Sequence, residues 1–190
     1  MIVNKVYNNI YEIENFITDD ECQSILNIIS DLNEKDWFRE DEDYSSPDFW
    51  IGKTMFFNNP YPLFIEDINK RIVNLFSSFN RISSISAINR YSKDQAMAQH
   101  RDNHNKDGDE YSAFGIVLYY NDNYLGGSIE YPELNIQIKP KAKSLIIHGG
   151  DILHGTSPIE NDGIRYFSTA FIKEKPGFPA ILKSSIFGDK

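Results

Sequence analysis

The sequence predicts a mainly β fold, a sandwich or jelly roll supported on one side by α-helices. Two amphipathic helical segments come early in the chain, and short strand-like segments separated by Asn- and Gly-rich turns follow them. No internal repeat, low-complexity tract or Gly/Ser linker divides the 190 residues. We therefore expect a single domain over 1–190, with a helical and loop layer at about 1–83 and a β core at about 84–175.

The N-terminal segment predicts one strand and two helices. Alternating apolar residues favour a strand at 11–17, and Thr18 with Glu21 matches a capping box at the start of a helix over about 19–33. A proline precedes a second apolar stripe, which predicts a helix over about 63–79.

Residues 34–60, between the predicted helices, are rich in aromatic side chains. One interpretation is a substrate-covering loop with an aromatic wall. The other, favoured from Trp50 to Phe57, is a strand pair whose aromatic residues pack on the core. The stretch from Tyr44 to Asp48 is typical of a mobile turn. The aromatic residues are Trp37, Phe38, Tyr44, Phe49, Trp50, Phe56 and Phe57.

Six short strands are predicted in the second half of the chain. Each is an apolar or alternating segment bounded by turn residues. The predicted strands cover residues 85–91, 113–120, 127–131, 135–138, 144–148 and 164–172. The segment 101–111 is too polar for a core strand, so we expect a loop at the mouth of the barrel.

Composition restricts the class of protein. The net charge of −9 opposes a general role on nucleic acid, because phosphate binding relies on clustered Lys and Arg. The three lysines of 139–143 are more typical of a solvated turn. The single cysteine, Cys22, lies among helical apolar residues and is predicted to be buried, which favours a reducing environment. The sequence contains no signal-peptide pattern and no apolar run of about 18 residues, so we expect a soluble cytoplasmic protein without a membrane segment.

His100 and Asp102, with His154 some fifty residues later, form a metal-binding pattern. In an extended segment the side chains at i and i+2 point to the same face, so His100 and Asp102 can converge on one ion. His154 follows an apolar strand, beside glycines that let the backbone pass close to a ligand. Two histidines and one carboxylate hold non-haem Fe(II) on one face and leave the opposite face open for chemistry.

Three further residues could belong to this site. His104 continues the alternation of His100 and Asp102, although the polar chain around it favours a loop residue outside the ligand set. His148 either borders the pocket or is an interior histidine with satisfied hydrogen bonds, and the second interpretation is favoured. Arg165 begins the last predicted strand, where its guanidinium could clamp a carboxylate.

Taken in order, these residues resemble the Fe(II)/2-oxoglutarate-dependent dioxygenases, and within them the prolyl 4-hydroxylase-like group. Tyr91 lies nine residues before His100, as the family's tyrosine does, and His-x-Asp follows. The other matching segments are Tyr119-Tyr120-Asn121-Asp122, Gly126-Gly127-Ser128-Ile129-Glu130-Tyr131, Pro140, His154, Pro158 and Gly163-Ile164-Arg165-Tyr166.

The resemblance implies a double-stranded β-helix of cupin-like type, with N-terminal helices packed on one sheet and iron held by His100, Asp102 and His154. It implies that 2-oxoglutarate chelates the metal and pairs its far carboxylate with Arg165, with Tyr91 as a hydrogen-bonding companion. The implied cofactors are Fe(II), 2-oxoglutarate as co-substrate and O2, with ascorbate as a candidate reductant. The implied reaction is hydroxylation of a prolyl-like peptide side chain or a small amino-acid-like molecule, with release of succinate and CO2.

The chain departs from this pattern in places. The interval from His154 to Arg165 is one residue longer than is common in the family, and Met97 stands where many prolyl hydroxylases have a second tyrosine. A non-catalytic metal- or ligand-binding jelly roll is one alternative function. Nucleic-acid demethylation is another, which the acidic charge opposes. Asp102 favours hydroxylation over halogenation, because related halogenases have a small residue there. The substrate and the oligomeric state stay open.

Overall fold

Antiparallel sheets and the helices beside them make up the structure, a computed structural model that describes residues 1–38, 52–58, 60–103 and 111–188. In chain order the elements are β1 (Ile2–Tyr7), β2 (Ile10–Glu14), α1 (Asp19–Ser30), β3 (Lys53–Phe56), α2 (Leu63–Val73), β4 (Phe76–Ser78), β5 (Arg81–Ser83), β6 (Ala87–Tyr91), β7 (Met97–His100), β8 (Tyr111–Tyr119), β9 (Ile129–Tyr131), β10 (Ile136–Ile138), β11 (Leu145–Gly149), β12 (His154–Thr156), β13 (Arg165–Glu174), β14 (Ile181–Leu182) and α3 (Ser184–Phe187). Short 3-10 helices cover Glu34–Asp36 and Pro132–Leu134.

The strands form a jelly roll with a filled interior. The larger sheet has the order β1-β2-β11-β8-β13-β6-β3, with β5 also paired to β13, and the smaller has the order β10-β9-β12-β7. Side chains from both sheets share one buried cluster between them. Its buried members are Ile10, Tyr91, Tyr119, Tyr124, Ile129, Tyr131, Ile138, Ile146, Ile159 and Phe167. The mainly β fold with supporting helices is confirmed.

The opposite face of the larger sheet is covered by helices α1 and α2. Since successive residues of a strand point to opposite faces, each central strand serves both the barrel interior and the helical side. The core on the helical side joins apolar side chains of both helices to the sheet. These include Cys22, Ile25, Ile29, Ile65, Ile68, Ile72, Ile116, Leu118, Leu145, Ile147, Ala170 and Ile172.

The start of α1 matches the prediction. The Thr18 hydroxyl accepts a hydrogen bond from the Glu21 amide at 3.1 Å, and the Thr18 amide donates to the Glu21 carboxylate at 2.8 Å. This reciprocal pair is the predicted capping box. Cys22 is buried on this helix, as predicted, and its Sγ lies 3.1 Å from the carbonyl oxygen of Tyr120.

The predicted second helix is too long. Helix α2 ends at Val73, and the apolar residues predicted to continue it belong to a turn and to β4 instead. Phe76 is buried from β4, which pairs with β14. Pairing with a distant strand therefore ends the helical period in a way that local sequence does not reveal.

The six strands predicted in the second half are present, with ends shifted by a few residues. Strands β7 and β12 are absent from the prediction because their residues, Met97–His100 and His154–Thr156, show no alternation of apolar and polar side chains. The strand interpretation of residues 34–60 holds for β3, where Met55 is buried, but Phe38 and Phe56 remain 57% and 51% exposed. The aromatic residues and the mobile turn predicted within 44–50 lie outside the described residues.

Among the described residues, no helix is long and apolar enough to span a membrane.

Candidate metal centre and anion pocket

The side chains of His100, Asp102 and His154 meet at one end of the barrel interior. Strand β12 pairs with β7 so that His154 stands directly opposite His100, and the two ring centroids lie 4.3 Å apart. Asp102 Oδ1 lies 3.3 Å from His100 Nε2 and 3.8 Å from His154 Nε2. One ligand atom from each residue lies within 4.8 Å of the others. This spacing fits a single ion with metal–ligand bonds of about 2.0–2.2 Å.

Backbone carbonyl groups orient both imidazole rings. His100 Nδ1 lies 3.0 Å from the oxygen of Ala98, and His154 Nδ1 lies 2.9 Å from the oxygen of Ile152. A carbonyl oxygen accepts, so these contacts favour hydrogen on Nδ1 and leave the Nε2 lone pair of each ring directed at Asp102. Both histidines are therefore presented in the form that binds a metal.

Charges in the cluster also favour metal binding. Burial opposes ionisation of Asp102, but the close contact with His100 and the neighbouring His148 and His154 lower its pKa below the usual value. Burial lowers the pKa of His154 and would also lower that of His100, whose contacts with Asp102 and Ala98 raise it instead. Near neutral pH an ionised Asp102 and a neutral His154 are ready to act as ligands.

His148 and Gly115 form the wall behind Asp102. The two residues are direct partners between β11 and β8. A Cβ on Gly115 would lie 2.3 Å from Asp102 Oδ2 and 2.8 Å from the His148 ring, so only glycine leaves room for both groups. His148 is 1% exposed, and its ring centroid lies 4.1 Å from that of His154. It lines the cavity, so the less favoured sequence interpretation is the correct one.

The other end of the cavity is built around Arg165, which is 2% exposed. Its Nη2 donates to the Tyr119 hydroxyl at 3.0 Å. The guanidinium carbon lies 4.6 Å from the ring centroid of Phe167 and 5.4 Å from that of Tyr91, its partner on β6. Nε and Nη1 have no hydrogen-bond partner in the described part of the chain. A buried guanidinium with two unused donors is costly, so this end favours an anionic ligand.

One cavity contains both ends of the site. Its free space, including the open mouth, is about 480 Å³. Val117, Ile129 and Phe167 line it alongside the metal and arginine ends, so its middle wall is largely apolar. A small dicarboxylic acid matches this chemistry, with one end at the metal cluster and the other at Arg165.

Several residues of this pocket were not predicted to act in it. Tyr119 appeared in the sequence only as part of a turn motif, yet its hydroxyl is the partner of Arg165. The hydroxyls of Tyr124 and Tyr131 are buried without hydrogen-bond partners among the described residues. The alternation of strand β8, which makes Val117 and Tyr119 face the same way, was the available signal. His104 lies outside the described residues.

The fold and the site together define a class of protein. A jelly roll with two histidines and a carboxylate at one end of its interior, and a buried arginine at the other, is a double-stranded β-helix of the oxygenase type. Residues 86–173 match the family model described as the 2OG-Fe(II) oxygenase superfamily. This segment therefore matches an enzyme superfamily whose cofactors are Fe(II), 2-oxoglutarate and O2.

Solved structures support the same fold. The viral collagen prolyl hydroxylase of Paramecium Bursaria Chlorella virus-1, in its 2OG complex, has a TM-score of 0.68 at 18% identity over 87% of this chain and 96% of its own. A Trichoplax adhaerens prolyl hydroxylase, in complex with a hypoxia inducible factor peptide fragment, has a TM-score of 0.68 at 17% identity over 87% and 83%. HygX from Streptomyces hygroscopicus, with nickel, 2-oxoglutarate and hygromycin B bound, has a TM-score of 0.59 at 12% identity over 88% and 83%. Comparison with curated protein sequences gave no significant match.

Proposed function

We propose that this protein is a 2-oxoglutarate-dependent hydroxylase in which His100, Asp102 and His154 hold Fe(II). The observation that carries the proposal is the convergence of three ligand atoms within 4.8 Å in the same cavity as a buried, under-bonded Arg165. Residues 84–175 supply the other strands of the oxygenase core, whereas residues 1–83 supply helices α1 and α2 and also strands β1, β2, β3 and β5 of the larger sheet, so the division into a helical layer and a β core is not strict.

The side chains in different parts of the cavity have different roles. Arg165 and the Tyr119 hydroxyl bind the far carboxylate of 2-oxoglutarate, and Tyr91 closes the pocket beside them. The neutral, apolar middle of the cavity excludes water and strengthens these polar contacts. When bound, Fe(II) and 2-oxoglutarate supply the oxidising chemistry, in which one oxygen atom of O2 enters the substrate and the other enters succinate as CO2 is released.

We propose a peptide side chain of prolyl type as the substrate, with a small amino-acid-like molecule as the second candidate. The cavity wall beside the ligand cluster is uncharged, formed by Met97, Thr156 and Phe171, which suits an uncharged side chain better than a charged one. The peptide complex of one prolyl hydroxylase with this fold supports the first candidate. The hygromycin B complex of HygX supports the second.

The test of the metal centre is conversion of 2-oxoglutarate to succinate by purified protein with Fe(II), followed by chromatography. We expect slow substrate-free turnover in the wild type and none in His100→Ala or Asp102→Ala, because each variant loses one of three ligands. Mn(II) binding measured by calorimetry should be lost in parallel. Asp162→Ala is the matched control, since this carboxylate is 97% exposed. Undiminished turnover in both ligand variants would refute the proposed centre.

A further inference from the structure

The two oxygens of the Asp102 carboxylate face different partners. Oδ1 faces the Nε2 atoms of His100 and His154, at 3.3 and 3.8 Å. Oδ2 lies on the other side, 3.9 Å from His148 Nε2 and in the space that a Cβ on Gly115 would fill. The carboxylate is therefore oriented with one oxygen toward the candidate metal position and one toward His148.

His148 occupies this position at a cost in stability. It is the next-to-last residue of strand β11, directly after Ile146 and Ile147, at a buried position where an aliphatic side chain would be more favourable. The adjacent strand accommodates it only by giving up a side chain at Gly115. A buried polar residue supported by a glycine in mid-strand points to a specific role at the position that it faces.

The His148 ring offers a hydrogen-bond donor to Asp102. An imidazole ring always carries at least one N–H, and Nε2 is the ring nitrogen recorded nearest to the carboxylate. In contrast to the Nε2 atoms of His100 and His154, His148 Nε2 faces Oδ2, on the side of the carboxylate away from the candidate metal position, so a hydrogen on Nε2 would be directed at the carboxylate. The separation of 3.9 Å closes with a shift of about 1 Å, within the adjustment that catalytic hydrogen bonds make when a site binds its ligands.

We propose that His148 is a positioning residue whose Nε2–H holds Asp102 Oδ2, so that Asp102 binds the metal through Oδ1 alone. This rests on the proposed function. Carboxylates bind metals through one oxygen or two. With one oxygen bound, the protein supplies three ligand atoms, and a roughly octahedral ion keeps positions for both chelating atoms of 2-oxoglutarate and for O2. With two bound, one of those positions is lost.

The experiment compares His148→Gln, which retains an N–H donor, with His148→Leu, which has a similar volume and no donor. Mn(II) is titrated into each protein by calorimetry, and 2-oxoglutarate is then titrated into the Mn(II)-loaded protein. We expect Mn(II) affinity within about threefold of wild type in both variants. We expect 2-oxoglutarate affinity to fall by about tenfold or more in His148→Leu and by less than threefold in His148→Gln, because a carboxylate that binds through both oxygens occupies a position that 2-oxoglutarate needs.

A spectroscopic readout separates positioning from packing. The visible absorption of the Co(II)-loaded protein reports coordination number, and it should change in His148→Leu but not in His148→Gln. Should His148→Leu fail to fold, His148→Phe takes its place, because it keeps a ring against His154. Equal loss of 2-oxoglutarate affinity in the Gln and Leu variants, or no loss in either, overturns the role of His148. Failure of the wild type to bind Mn(II) and 2-oxoglutarate overturns the proposed function instead.

Discussion

The two faces of the larger sheet differ in purpose, although the same strands supply both. On the helical side, strands β8, β11 and β13 present Leu118, Ile147 and Ile172, each 0% exposed. On the barrel side, β11 presents His148, the residue next to Ile147, and β13 presents Arg165, and both are also buried. Because side chains alternate along a strand, a residue that stabilises the helical-side core can be directly adjacent to one that lines the site.

Buried side chains stabilise the fold on the helical side of the sheet, whereas buried polar groups destabilise it on the barrel side. Each fully buried aliphatic side chain on the helical side contributes about 1.5–3 kcal/mol. On the barrel side, Nε and Nη1 of Arg165 and Nδ1 of His148 are buried without hydrogen-bond partners among the described residues, which costs stability. Substitutions on the two faces should therefore change different measurements.

The largest expected effect is that of Arg165→Met on 2-oxoglutarate binding. Loss of the buried charge and its fork of donors should weaken binding by about a hundredfold or more, since such charge-assisted contacts are worth roughly 2–5 kcal/mol. The free energy of unfolding should stay the same or rise, because two buried unused donors are removed. Calorimetry on the Mn(II)-loaded protein and urea denaturation measure the two quantities. A fall in the free energy of unfolding without a fall in 2-oxoglutarate affinity would show that Arg165 stabilises the fold and does not bind the ligand.

For Ile147→Ala we expect a large loss of stability and little change in ligand affinity. Its side chain is 0% exposed in the helical-side core, so truncation should lower the free energy of unfolding by roughly 2–5 kcal/mol. Affinities for Mn(II) and 2-oxoglutarate should stay within about twofold at a temperature where the variant is folded. Urea denaturation and calorimetry provide the measurements. A larger change in ligand affinity than in stability would show that the two faces are coupled.

The smallest effect is expected at the edge of the helical layer, for Thr18→Ala. Removing the hydroxyl that caps α1 should lower the free energy of unfolding by about 1 kcal/mol. The melting temperature should fall by roughly 2–4 °C for a chain of this size. Thr18→Ser keeps the hydroxyl and serves as the control in the thermal melt. Equal melting temperatures for the Ala and Ser variants would show that the hydroxyl at position 18 does not contribute to stability.

Local patterns predicted much of the fold. The capping box at Thr18 and the six strands of the second half depend on neighbouring residues, so they are visible in the sequence. The predicted end of α2 was wrong because β4 forms only through its pairing with β14. Strands β7 and β12 went unpredicted because their stability comes from their partners and not from a period of their own.

The sequence alone determined which residues could act together at short range. The spacing of His100 and Asp102 directs both side chains to one face, because a strand repeats every two residues. Tertiary structure alone decided what joins them: β12 brings His154 opposite His100 from 54 positions away, and β11 brings His148 to Gly115 behind the carboxylate. It also left two buried donors of Arg165 without partners. Strand pairing and burial are long-range properties, so no local pattern in the sequence contains them.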